Sequence, residues 1–68
     1  MKRELLEEYY NKRVAIAVEN ESRRYFWFYG TLVELADEYL ILKYKTGMKR
    51  LPLDEIANIH LDAGRGEK

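Results

Sequence analysis

Cysteine is absent from this chain of 68 residues, histidine occurs once, as His60, and proline once, as Pro52. Without cysteine no disulfide can staple the fold, and one histidine cannot assemble a tetrahedral metal centre with neighbours at ligand spacing. Serine occurs only at Ser22, and no recognisable motif sets two carboxylates against each other, so neither nucleophilic nor general acid-base chemistry has a visible home. The sequence therefore predicts a protein that is not an enzyme and takes no cofactor. No apolar run approaches the roughly 20 residues of a membrane span, and the opening MKRELLEEYY is too acidic for a signal peptide. The expected location is cytoplasmic, with no membrane partner. Glutamine is also missing, glutamate outnumbers aspartate and 35% of residues are charged, a bias toward a thermophilic source.

Charge of one sign is lacking too: Lys plus Arg is 12 and Asp plus Glu is 12. No global field draws the chain to nucleic acid, although a local site is not excluded by neutrality. Length sets a further limit. A single domain of this size, residues 1–68, buries only about 60% of the surface its unfolded chain exposes. With disulfides and metal set aside, oligomerisation is the support such a core calls for.

What is present is organised around Tyr25 to Leu42, YFWFYGTLVELADEYLIL. Five consecutive aromatics, Tyr25 to Tyr29, favour a pleated strand. Gly30 interrupts them, and a glycine within a strand marks a bend, a bulge or the close approach of another backbone. The apolar phase changes there as well: Phe26, Phe28 and Leu32 share one parity, Val33 and Leu35 the other. A strand that swaps faces without ending curls its sheet. Before it, residues 2–10 set Leu5, Leu6, Tyr9 and Tyr10 on one helical stripe, predicting a short amphipathic helix that docks on the sheet. Residues 13–19 alternate as a half-buried strand, with Val14, Ile16 and Val18 inward and small Ala15 and Ala17 outward, leaving room for neighbouring aromatics. Strands over about 25–35, 39–45, 48–52 and 56–61 follow, with Thr46-Gly47 a hairpin turn at positive φ, Pro52 ending the fourth, and Ala57, Ile59 and Leu61 sharing a face of the fifth. The tail 62–68 is expected to fray. The predicted fold is mainly β: an N-terminal helix, then a strongly bent five-stranded antiparallel sheet in the manner of a small open, SH3-like barrel.

That order, together with KRVAI, YGTLVELADEYLIL and a closing IANI, resembles the Sm-like (LSm) family, including bacterial Hfq. The resemblance covers about Leu5 to Leu61 and is most specific at Gly30-Thr31-Leu32-Val33 followed by Asp37-Glu38-Tyr39, which looks like the first Sm motif. It implies a homo-oligomeric ring of six or seven subunits, joined by edge strands, that binds single-stranded RNA, often uridine-rich. It implies Tyr39 as the base-stacking residue, with Asp37 as the turn residue that positions it. Departures accompany the likeness. Ile41 stands where the family usually has asparagine, Pro52-Leu53-Asp54 stand where a basic motif is usual, and the Gly30-to-Asp37 spacing is one residue longer. The uridine pocket is thus expected to be degenerate and RNA binding weak.

The residues themselves leave alternatives open. Tyr39 can stack a base or pack at a subunit contact. Lys43, Lys45, Lys49 and Arg50, with no acid among them, can contact phosphates or simply charge an edge hairpin against aggregation. An interaction or scaffold module that has lost RNA binding is the other class of function the chain fits. Trp27 and its parity mates Tyr25 and Tyr29 need cover beyond the core, which a neighbouring subunit would provide.

Overall fold

The computed structural model describes residues 1–62 and has five antiparallel strands in one sheet. They are β1 (Arg13–Glu19), β2 (Tyr25–Leu35), β3 (Tyr39–Lys43), β4 (Met48–Pro52) and β5 (Ile56–Leu61). Their order across the sheet is β4-β3-β2-β1-β5, so β1 to β4 form a meander and β5 returns to the far side of β1. The sheet is not closed: β4 and β5 each have a neighbour on one side only. Among the described residues no helix is long and apolar enough to cross a membrane.

The inward parity of β1 predicted the core correctly. Val14, Ile16 and Val18 join Leu32, Leu40, Leu42, Leu51, Leu53, Ile56 and Ile59 in one buried cluster, with Phe28, Leu35 and Tyr44 packed at its margin. Ala15 and Ala17 face the other way yet are also buried. Their cross-strand partners are Tyr29 and Trp27 on β2, and His60 and Asn58 on β5, whose larger side chains cover them. Methyl groups there let aromatic neighbours lie close to the sheet.

The N-terminal segment differs from expectation. In place of an amphipathic α-helix over 2–10 there are two 3-10 turns, Arg3–Leu5 and Glu7–Tyr9. Nine residues cannot offset the cost of helix nucleation by propensity alone, so docking decides the shape. Leu6 is fully buried and Tyr9 packs on the core, whereas Leu5 and Tyr10 are exposed. Burying one leucine contributes about 2 kcal/mol, enough to hold a short segment without α-helical regularity. Asn11 follows at φ 66°, a conformation asparagine tolerates, and its N–H donates to the Leu32 carbonyl at 2.7 Å.

Curvature comes from three places. At Gly30 φ is not in the left-handed region; the glycine is required by crowding, since a Cβ there would lie 2.8 Å from the Lys43 carbonyl oxygen and 3.0 Å from the Tyr44 ring. The phase change along β2 is carried by a register shift between Leu32 and Glu34, which leaves Val33 as the extra residue. A second shift sets Val18 opposite Ile56 and Ala17 opposite Asn58, so Ala57 is extra in β5. That bulge corrects the predicted face: Ile56 and Ile59 are buried, Ala57 and Leu61 exposed.

Two further boundaries move. β3 ends at Lys43 rather than Lys45, because Tyr44 turns to accept the hairpin, its N–H donating to the Gly47 carbonyl at 2.6 Å. Gly47 itself has no positive φ, so this turn does not require glycine. The predicted frayed tail begins too early. Asp62 is buried, its N–H donates to the Arg13 carbonyl at 3.0 Å, and its carboxylate lies 3.7 Å from the Arg13 guanidinium. The rest of that tail, 63–68, lies outside the described residues.

Two measurements follow from this packing. Gly30→Val drives two methyls toward the Lys43 carbonyl and Tyr44 ring, and thermal melting should register a loss of about 2 to 3 kcal/mol. An unchanged midpoint would mean the two strands separate there at no cost. The Tyr44 hydroxyl is buried without a hydrogen-bond partner, and burial raises its pKa above the ordinary value near 10. Tyr44→Phe removes that polar group and should stabilise by about 1 kcal/mol. Because Tyr44 keeps its proton in the fold at a pH where the unfolded chain releases it, stability falls as pH climbs from about 10 toward the folded pKa. Alkaline melting of Tyr44→Phe should be correspondingly flatter than that of the parent.

Candidate nucleic-acid interface

Tyr39 opens β3 opposite Pro52, and Arg50, two residues before Pro52, pairs with Ile41. Alternation then puts Tyr39, Ile41 and Arg50 on one face of the sheet, with Tyr39 and Arg50 as diagonal neighbours. The guanidinium of Arg50 lies over the Tyr39 ring, 5.0 Å from its centroid. A flat cation over a half-buried ring is a stacking surface with one positive edge, suited to a base and the phosphate beside it. Ile41, the next residue on that face, offers no hydrogen bond to a base edge, which leaves Arg50 as a donor beside the ring.

The other cations do not gather there. Lys43 and Lys45 line a cleft of about 590 Å³ with Arg13, Tyr29, Thr31, Val33 and Tyr44. Lys49, opposite Leu42, has the other parity, and its ammonium sits 5.6 Å from the centroid of Phe28. Strand alternation turns Lys49 to the other face, whereas Lys43, two residues after Ile41, keeps the parity of Tyr39 and is set apart by the cleft it shares with Lys45 and Arg13. Asp37 stands apart as well. Its side chain is 95% exposed and reaches only Arg3, at 3.9 Å, an exposed pair worth little. Asp37 borders a cleft of about 710 Å³ whose lining mixes Lys2 and Arg3 with Glu4, Glu38 and Asp54. Tyr39 is not among the residues lining it. The turn that carries Asp37 is fixed through its backbone, Ala36 N–H donating to the Tyr39 carbonyl at 2.8 Å and Leu53 N–H to the Glu38 carbonyl at 2.9 Å. Among the described residues no group of three or more histidine, aspartate or glutamate side chains is placed to hold a metal ion.

The sequence reading left one set of side chains unassembled. Trp27 and Tyr29 stack at 6.4 Å with 21° between their planes, and His60 tilts against Trp27 at 5.4 Å. The period-two spacing of Tyr25, Trp27 and Tyr29 signals a shared face. His60 joins them through the β1–β5 register, which a bulge shifts by one residue and no local pattern announces.

Removing the Tyr39–Arg50 contact should leave the fold intact, because a partly exposed cation–π pair contributes about 0.5 to 1 kcal/mol. Arg50→Ala should melt within about 1 kcal/mol of the parent by chemical denaturation, and a larger loss would assign the pair to the core. Comparison with known proteins adds no relative: no protein-family model, no curated protein and no solved structure matches this chain.

Proposed function

We propose that this chain is an Sm-like protein that assembles into a homo-oligomeric ring of six or seven copies and binds single-stranded RNA weakly. The observation that carries the reading is the strand order, which leaves β4 and β5 as the two free edges of one curved sheet. Free edges are templates for pairing, and a head-to-tail joint of β4 on one copy with β5 on the next closes into a ring when the rotation allows. The bend at Gly30 and the meander after a short N-terminal segment agree with the resemblance drawn from the sequence.

RNA binding in this reading rests on Tyr39 as the stacking face and Arg50 as its cation, with Lys43, Lys45 and Lys49 adding attraction and Asp37 in the turn before the ring. Subtraction sets the strength. Ile41 reads no base edge, and a protein of net charge zero gains little from counterion release. Selectivity for uridine is accordingly slight. Ile41 also favours a second reading, a scaffold or protein-interaction module on the same oligomer, in which the Tyr39 face meets no RNA. Neither reading includes catalysis or a cofactor.

Light scattering after size exclusion should give six or seven times the subunit mass; a monomer at tens of micromolar would overturn the ring and the family assignment with it. Fluorescence anisotropy with oligo(U), oligo(A) and oligo(C) at two salt concentrations should show weak binding that salt abolishes and Tyr39→Ala removes. Tight, uridine-selective binding indifferent to Tyr39→Ala would put the pocket elsewhere. An oligomer with no binding at low salt would leave the scaffold reading standing.

A further inference from the structure

The outer face of β2 and β5 carries a surface that neither the core nor the Tyr39 site uses. Tyr25 and Trp27 stand on it at 58% and 44% exposure, large for aromatic side chains outside a ligand-free edge. Together with Ala17, Ala57 and Asn58 they line a slot of about 290 Å³. The slot exists because of two local features: alanine rather than a larger residue at 17, and the bulge that makes Ala57 the extra residue of β5. Asn58 accepts the Ile59 N–H at 2.8 Å through its side-chain oxygen, which leaves its amide N–H₂ as a donor at the slot.

Ala57 also lines a second groove, of about 290 Å³, with Glu19, Asn20, Glu21, Asp54, Glu55 and Ile56. It holds four carboxylates and no cation. Among the described residues the ion pairs are Arg3–Glu7, Arg3–Asp37 and Arg13–Asp62, so none of the four carboxylates is paired. Aromatic slot, amide donor and unpaired acids thus lie in a row along one face.

We propose that this face binds a proline-rich segment of a partner protein that carries arginine or lysine, with prolyl rings seated between Tyr25 and Trp27 and the basic side chain in the Glu19–Glu21–Asp54–Glu55 groove. Polyproline II chains dock between aromatic ridges because their conformation is already set, and their unpaired carbonyls need donors such as Asn58 Nδ2–H and Trp27 Nε1–H. Charge decides the class of ligand. An oligonucleotide stacking along Tyr25 and Trp27 would carry its phosphates into four carboxylates, whereas a basic peptide brings the countercharge they lack. A second copy of the chain presents the same rings and the same slot, ridge against ridge.

Trp27 is the only tryptophan, so its emission reads the slot directly. The probes are a decaproline peptide with two arginines at one end, the same peptide ending in two glutamates, and a glycine-serine peptide with two arginines. The arginine decaproline should shift Trp27 emission saturably, on the order of 100 μM. The glutamate form should bind about tenfold more weakly and the glycine-serine form should not saturate. Glu21→Lys with Glu55→Lys, both on exposed turns, should erase or invert the arginine preference, and Asn58→Ala should weaken both decaprolines. Tyr39→Ala should change none of this, which separates the result from RNA binding at the other site. Equal binding of all three peptides, or no shift at millimolar peptide, would overturn the proposal. So would an oligo(dT) that saturates the signal at lower concentration, or an emission shift that tracks protein concentration and mass without any peptide.

Discussion

The carbonyl oxygen of Lys43 passes so close to the Cα of Gly30 that no side chain fits between them, and the Tyr44 ring fills the rest of the space. That approach is made where β3 ends and β2 still has its aromatic half to run. It lets one eleven-residue strand serve two neighbourhoods: Tyr25 to Thr31 pair with β1, and Thr31 to Leu35 pair with β3. Phe28 and Leu32 can then close over the same core from different directions, joined by Leu40 and Leu42. The unpartnered Tyr44 hydroxyl is a cost of the same packing, since the ring is held by the bend and its oxygen finds no acceptor there. Van der Waals contact at Gly30 thus acts with the two register shifts, which determine which residues share each face.

Much of this was legible in the chain. The alternation of Val14, Ile16 and Val18, the aromatic run, the phase change after Leu32 and the interrupting Gly30 mark the strands and much of the core, because period two and a missing Cβ are local signals. The stripe Leu5-Leu6-Tyr9-Tyr10 suggests a helix but is also satisfied by two tight turns that bury Leu6 and half-bury Tyr9. Asp62 was read as tail because its charge and the glycines after it outweighed any hint of Arg13, whose proximity is created by β5 returning across the sheet. Long-range pairing leaves no periodic trace in either partner.

The candidate sites divide along the same line. Tyr39 and Arg50 each stand out in the sequence, but their diagonal contact within one hairpin is set by the β3–β4 register. The four cations look like one patch because they lie within eight residues with no acid among them, yet Lys49 and Arg50 cannot share a face, and Lys43 and Lys45 line a cleft with Arg13. The acidic groove drew no notice in the sequence. Its members come from the end of β1, the following turn and the 3-10 turn Leu53–Glu55, three segments that only the β1–β5 pairing assembles.

That pairing bears on how the molecule folds. β1 is joined to β2 by a short turn, tightened by the Asn20 side-chain oxygen accepting the Ser22 and Arg24 N–H groups at 3.0 Å, and β2, β3 and β4 follow as successive hairpins. Each of these closes a small loop. β5 must instead bring Leu61 back to Val14 across nearly the whole chain, the contact with the largest loop-closure entropy in the sheet. Such a return is the slow kind of contact in a folding topology. Until it is made, β1 lacks its second neighbour beside Val14 and Ile16.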